Sequence, residues 1–228
     1  MASSPVTAPT PGHDDAALAV SPAPAVPEGR AVVRLTDIAG YAAGLSIEEG
    51  LDPHEVVRGL DLDGCTLTGV SLSEARLLGC TFVECRFESV DMSMTDLTDS
   101  RFTGCTFVGS RMLALGWAST SSSPVFDPNH FEDCRMEHAN FAGSDVTAFT
   151  FRRCRLREAD FTEAVARRVD FAGSDLAAAR FDRTDLRDAS LAGATGWVLD
   201  PRVNTVRGLR IDLDGAAGLL DPLGVHLT

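Results

Sequence analysis

Lysine is missing: all 20 basic residues among the 228 are arginine. That absence removes the lysine-bearing phosphate loop, the Schiff-base lysine and the Ser-x-x-Lys nucleophile pair. No apolar run approaches the roughly 18 residues needed to span a bilayer, so no membrane partner is expected. The N-terminus has no basic stretch followed by an apolar core, so a secretory leader is not expected and a cytoplasmic location follows. There is no Cys-x-x-Cys pair of the kind that holds zinc. The net charge of −13 argues against direct contact with nucleic-acid phosphates. It permits a partner that itself binds nucleic acid. Large apolar residues keep neither the helical period of 3.6 nor the strand period of 2.

The period that is present is five. In "RVDFAGSDLAAARFDRTDL", residues 168–186, the large apolar residues are Phe171, Leu176, Phe181 and Leu186. One register steps from Leu62 to Met112 through Leu67, Leu72, Leu77, Phe82, Phe87, Met92, Leu97, Phe102 and Phe107. A second steps from Phe126 to Leu191 through Phe131, Met136, Phe141, Val146, Phe151, Leu156, Phe161, Ala166, Phe171, Leu176, Phe181 and Leu186. Two residues before each lies a column that is mostly small, including all six cysteines. The other three positions carry mainly Asp, Arg, Thr, Ser, Glu and Gly. Each unit therefore points one large and one small residue inward.

A longer period sits inside the short one. Phe82 and Phe102, Phe87 and Phe107, and Phe131, Phe151 and Phe171 recur at 20, as do Cys65, Cys85 and Cys105. Four units would then close one turn and stack on the next at about 4.8 Å, with Phe lying on Phe.

This pattern, in "CTFVE", "ANFAG", "ADFTE" and "SDLAA", resembles the pentapeptide-repeat family over about residues 57–194. The resemblance implies an all-β solenoid, a right-handed quadrilateral β-helix with an N-terminal cap and a short C-terminal helix. Residues 1–30 read as a disordered Pro/Ala-rich arm, and 31–56, with Leu35, Ile38, Tyr41, Leu45 and Ile47, as a short helical cap. Residues 57–112 and 126–194 read as two parts of the β-helix, and 195–228 as a C-terminal cap and dimerisation segment. Residues 113–125 shift the register and read as a loop, either a plain bulge or a recognition loop. Trp117 lies in phase with the first register, so it is either a last core residue or a binding anchor.

The C-terminal "VRGLRIDLDGAAGLLDPLGVHL" is similar to the ends of the quinolone-resistance members, the Qnr and MfpA types. That resemblance implies a homodimer through Leu219, Leu220, Leu223 and Val225; the alternative is a helix that caps a monomer. It also implies a DNA-mimicking rod that binds DNA gyrase or another type II topoisomerase. Asp91, Asp96, Asp99, Asp145, Asp170, Asp175 and Asp185 would carry that contact. Two observations oppose a uniform mimic. Residues 60–194 hold 21 acids against 14 arginines, and Arg152, Arg153, Arg155, Arg157, Arg167 and Arg168 form a basic cluster. The alternative is a general interaction scaffold with a salt-bridged surface.

No catalytic residue, metal site or cofactor is expected. His130 and His138 fall at outward positions without a supporting constellation, and a filled rod offers no cleft.

Overall fold

The computed structural model describes residues 32–120 and 127–225; the expected N-terminal arm, Phe126 and most of the serine run at 119–123 lie outside them. The chain winds as a right-handed, four-sided parallel β-solenoid. Each side has five residues. The central residue points inward, its two neighbours point outward, and the next residue turns the corner in the left-handed region. Corner residues at positive φ include Gly64, Gly69, Gly79, Glu84, Asp133, Ala148, Arg168 and Ala178.

Backbone hydrogen bonds run between coils, not along them. Leu72 N–H donates to Asp91 O at 2.7 Å, and Asp91 N–H donates back to Val70 O at 3.0 Å. These bonds stack like positions directly: Phe82 on Phe102, Phe87 on Phe107, Phe131 on Phe151. The side chains follow. Phe87, Phe107, Phe131, Phe151 and Phe171 form one ladder, with successive centroids 4.5, 4.8, 4.9 and 5.4 Å apart and near-parallel planes. Trp117, Phe141, Phe161 and Phe181 form another. Trp117 is thus a buried core residue, and its reading as a surface anchor is corrected.

The small inner column also has a polar task. A central residue's carbonyl points into the solenoid, where an unpaired acceptor is costly. Donors from the next coil meet several of these carbonyls. Thr95, Ser100 and Ser174 hydroxyls donate at 2.8 Å to Leu72, Leu77 and Phe151 O. The Cys85, Cys105 and Cys134 thiols donate more weakly at 3.4 Å to Leu62, Phe82 and Phe107 O.

Three boundaries differ from expectation. Residues 31–56 are not a helical cap. They hold strands β1 (Val32–Arg34), β2 (Tyr41–Ala43) and β3 (Ser46–Glu49), with a single 3-10 turn at Leu35–Asp37. β2 pairs with Asp61–Asp63 and β3 with Thr66 and Leu67, so coiling begins before Leu62, while β1 pairs on β3. At the other end bridges reach Thr205 and Arg210, so 195–211 still coils. Coiling also continues through 113–118, where Leu115 is buried and Gly116 bridges Asn140. Across the insertion the stacking offset is 24 instead of 20, with Phe107 on Phe131 and Arg111 on Arg135, and it returns to 20 beyond it. The insertion thus adds four residues at one corner. Asn129, buried at its exit, accepts from Cys105 N–H at 2.9 Å and donates to Phe102 O at 3.1 Å.

The C-terminal segment forms 3-10 turns around helix α1 (Ala217–Leu220), which closes over Trp197. None of the described helices is long and apolar enough to cross a membrane.

Candidate binding surface

The interior is filled by stacked side chains, so the surface carries whatever chemistry the chain has. All six cysteines are free and buried. A hydrogen bond to Cys105, with burial, pushes the Cys85 thiol up to about 12. The Cys154 thiol is also held well above its usual range, by its hydrogen bond with Cys134 and by burial. Among the described residues no cluster of His, Cys, Asp and Glu is placed to hold a metal ion. His130 is half-buried, with Nδ1 2.9 Å from Thr150 Oγ1, and burial with the nearby Arg152 charge pushes its pKa down. His138 lies 3.4 Å from Glu158 at an exposed corner.

The seven aspartates fall into two groups. Asp91 faces Arg111 at 3.6 Å, Asp96 faces Arg76 at 3.1 Å, Asp170 faces Arg152 and Asp175 faces Arg157, both at 3.4 Å. Asp185 is held at 2.6 Å by both Arg187 and Arg167, which keeps its carboxyl far below the ordinary range. The Thr98 hydroxyl, ahead of Arg76, holds Asp96 down as well. Only Asp99 and Asp145 among the seven make no ion pair within the described residues; Asp145 accepts instead from Thr147 N–H at 3.0 Å. Asp145 and Asp185 do share a side, with Val165 between them.

Most of these pairs join adjacent coils, at spacings of about 20 that a linear reading does not place together. Arg153 with Glu132 and Asp133, Arg180 with Asp160, and Arg183 with Glu163 follow the same rule. Exposed pairs of this kind contribute little each. Their effect on function is larger, because they neutralise the acids that a DNA mimic would present.

Carboxylates without an arginine partner gather elsewhere. Asp61, Asp63, Glu84 and Asp99 lie on or beside the side that runs through Leu62 and Phe82, near the N-terminal end. Nothing in the linear sequence sets Asp61, Asp63 and Glu84 apart from the other outward acids. The missing signal was the pairing partner 20 residues away, which each of them lacks.

The six arginines read as one cluster fall within a single coil but on different sides of it. Arg152 adjoins the Phe151 position, and Arg155 stacks in register with Arg111 and Arg135 on the next side. Arg167 and Arg168 instead join Arg187 and Arg207 in lining a groove of about 550 Å³, to which Asp145 and Asp188 also contribute.

At the C-terminal end Leu219 packs partly on the core and Leu220 is half-buried. Leu223 and Val225 are exposed, as are Val198, Val203 and Leu213 of the same end. Arg202 ties these segments together by donating to Pro222 O at 2.8 Å.

Comparison with known proteins agrees with this geometry. The profile of the pentapeptide repeat region matches residues 123–191, and that of pentapeptide repeats (9 copies) matches 62–113. No curated protein matches the sequence. Among solved structures, a trypsin-treated variant of QnrB1, a plasmid-mediated fluoroquinolone resistance protein, is 18% identical with a TM-score of 0.52. That match covers 84% of this chain and 100% of the other. HetL, involved in heterocyst differentiation regulation in the cyanobacterium Nostoc, is 16% identical with a TM-score of 0.53, covering 75% and 86%. At these identities the likeness is one of fold.

Proposed function

Because the chain belongs to the pentapeptide-repeat family, we propose that it is a non-enzymatic binding protein that docks as a homodimer on a type II topoisomerase such as DNA gyrase. It would take up part of the surface that DNA uses, inhibiting the enzyme or protecting it from quinolone-type inhibitors. The observation that supports this reading is the unneutralised carboxylate group of the first coils. Asp61, Asp63, Glu84 and Asp99 carry it, and Asp91, Asp96, Asp170, Asp175 and Asp185 are quenched by arginine. The exposed Leu223 and Val225 support the dimer, since an isologous contact would bury both.

A supercoiling assay with titrated protein, with and without a fluoroquinolone, tests the reading. Wild type should inhibit or rescue at near-stoichiometric protein. The variant D61N/D63N/E84Q/D99N should lose the effect and flatten its salt dependence. In light scattering, L223E/V225E should run as a monomer. No effect of wild type on the host gyrase would favour the second reading, a general interaction scaffold. The arginine pairing of five of the seven aspartates supports that alternative.

A further inference from the structure

One side of the solenoid changes sign along its length. Near its N-terminal end it carries Asp61, Asp63 and Glu84. In the last coils the column that continues Asp61 reads Asp145, Val165, Asp185 and Thr205, while the column that continues Asp63 reads Thr147, Arg167, Arg187 and Arg207. Their register is fixed by bonds from Ala148, Arg168 and Asp188 N–H to Arg167, Arg187 and Arg207 O at 2.8–3.0 Å.

The fold asks only for an outward residue in this column, as Thr147 shows. Like charges stacked in register disfavour folding. Asp185 relieves the first pair, since it bonds both Arg167 and Arg187. No carboxylate bonds Arg207, and Arg168 on the adjoining corner likewise makes no ion pair among the described residues. Both side chains are exposed. Two guanidinium groups are thus left with their donor edges free, beside two others already fixed in place by Asp185.

We propose that this groove is a second binding surface, which takes a short carboxylate-rich peptide segment of a protein partner. Guanidinium groups match carboxylates with paired, parallel hydrogen bonds, and Asp185 preorganises Arg167 and Arg187 to flank the incoming chain. An extended nucleic-acid strand fits less well. It would meet the acidic half of the same side and the overall charge of −13. A short acidic segment stays within the last coils. This surface is independent of the topoisomerase reading, which rests on the opposite half.

Fluorescence anisotropy with a labelled oligoglutamate peptide tests the proposal on the full chain. Wild type should bind it at low salt, and R168E/R207E should bind about tenfold more weakly or worse. Neither residue makes an ion pair, so a thermal melt should show that the variant folds. The variant R58E reverses an exposed, unpaired charge in the first coils and should leave binding unchanged. Equal loss with R58E would reduce the effect to net charge and overturn the groove. Tighter binding of a single-stranded oligonucleotide of equal charge would also overturn it, in favour of a nucleic-acid surface. Unchanged peptide binding by R168E/R207E would do the same.

Discussion

Either side of the insertion the coils use the same five-residue unit, yet they fill and decorate it differently. Before it the inner column carries Cys65, Cys80, Cys85 and Cys105, and residues 32–120 hold thirteen acids against six arginines. After it the column keeps Cys134 and Cys154 but is mostly alanine, with Ala139, Ala159, Ala164, Ala179 and Ala189, and residues 127–211 hold fourteen acids against thirteen arginines. The first half leaves most of its acids without an arginine partner, although Asp91 and Asp96 are paired, and the second half pairs most of its own. One scaffold can therefore hold two unlike surfaces, because outward positions take no part in closing the core.

The largest test of this comparison lies in the interior. Phe151 has a ring stacked on both sides, and Phe151→Ala should cost about 3–5 kcal/mol in urea unfolding. Phe82 stacks on one ring only, Phe102, and Phe82→Ala should fall at the low end of that range. Equal losses would mean that ladder length contributes nothing. Asn129 bonds both ways across the insertion, so Asn129→Ala should cost about 1–3 kcal/mol.

Acid should separate the halves more gently. Asp133, Asp160 and Asp185 of the second half have lowered carboxyl pKa values, against Asp96 alone in the first. Arginine bonds dominate at Asp133 and Asp185; at Asp160 burial opposes the shift, and bonds to Arg180 and Thr162 outweigh it. Their stabilisation is present above about pH 4 and is lost as pH falls through the folded values. His130, also lowered, favours the neutral ring, so its contribution begins to fade as pH drops below about 6.5. Hydrogen exchange on acidification should therefore lose protection first around and after His130. Equal loss in both halves would remove the electrostatic distinction. The smallest effect belongs to the exposed Arg153: Arg153→Gln should lower the melting temperature only slightly, through the loss of its bonds to Glu132 and Asp133.

The sequence made the solenoid legible because each side needs one inward apolar residue, and an apolar residue recurs every five at 25 positions of the two registers. It lost the ends for local reasons. Stepping back from Leu62, Val57 still keeps register on Leu77, but Asp52 occupies the centre before it, and the chain slips by one so that Leu51 is buried there. Leu51 N–H bonds Ser71 O at 2.9 Å, and a Cβ on Gly50 would stand 2.0 Å from that oxygen. After Leu191 the centres fall on Gly196 and Pro201, while Trp197 and Leu199 fill the core from neighbouring positions. The candidate surface was less legible. Charge pairing depends on the stacked register, and the offset of 24 across the insertion cannot be counted from the apolar residues alone.

The left-handed corners carry a consequence of their own. In the first half many of them are glycine, including Gly59, Gly64, Gly69, Gly79, Gly104 and Gly109; in the second half most carry a Cβ, among them Ala148, Glu158, Ala178 and Arg183. A Cβ in this conformation strains the backbone by about 1–2 kcal/mol, which exceeds the roughly 0.4–1 kcal/mol that glycine's freedom adds to the unfolded chain. Ala178→Gly, a change that weakens almost any helix, should here raise the melting temperature. The second half thus stands some distance from its own optimum. Corner by corner, its durability could be adjusted while its outward sides stay untouched.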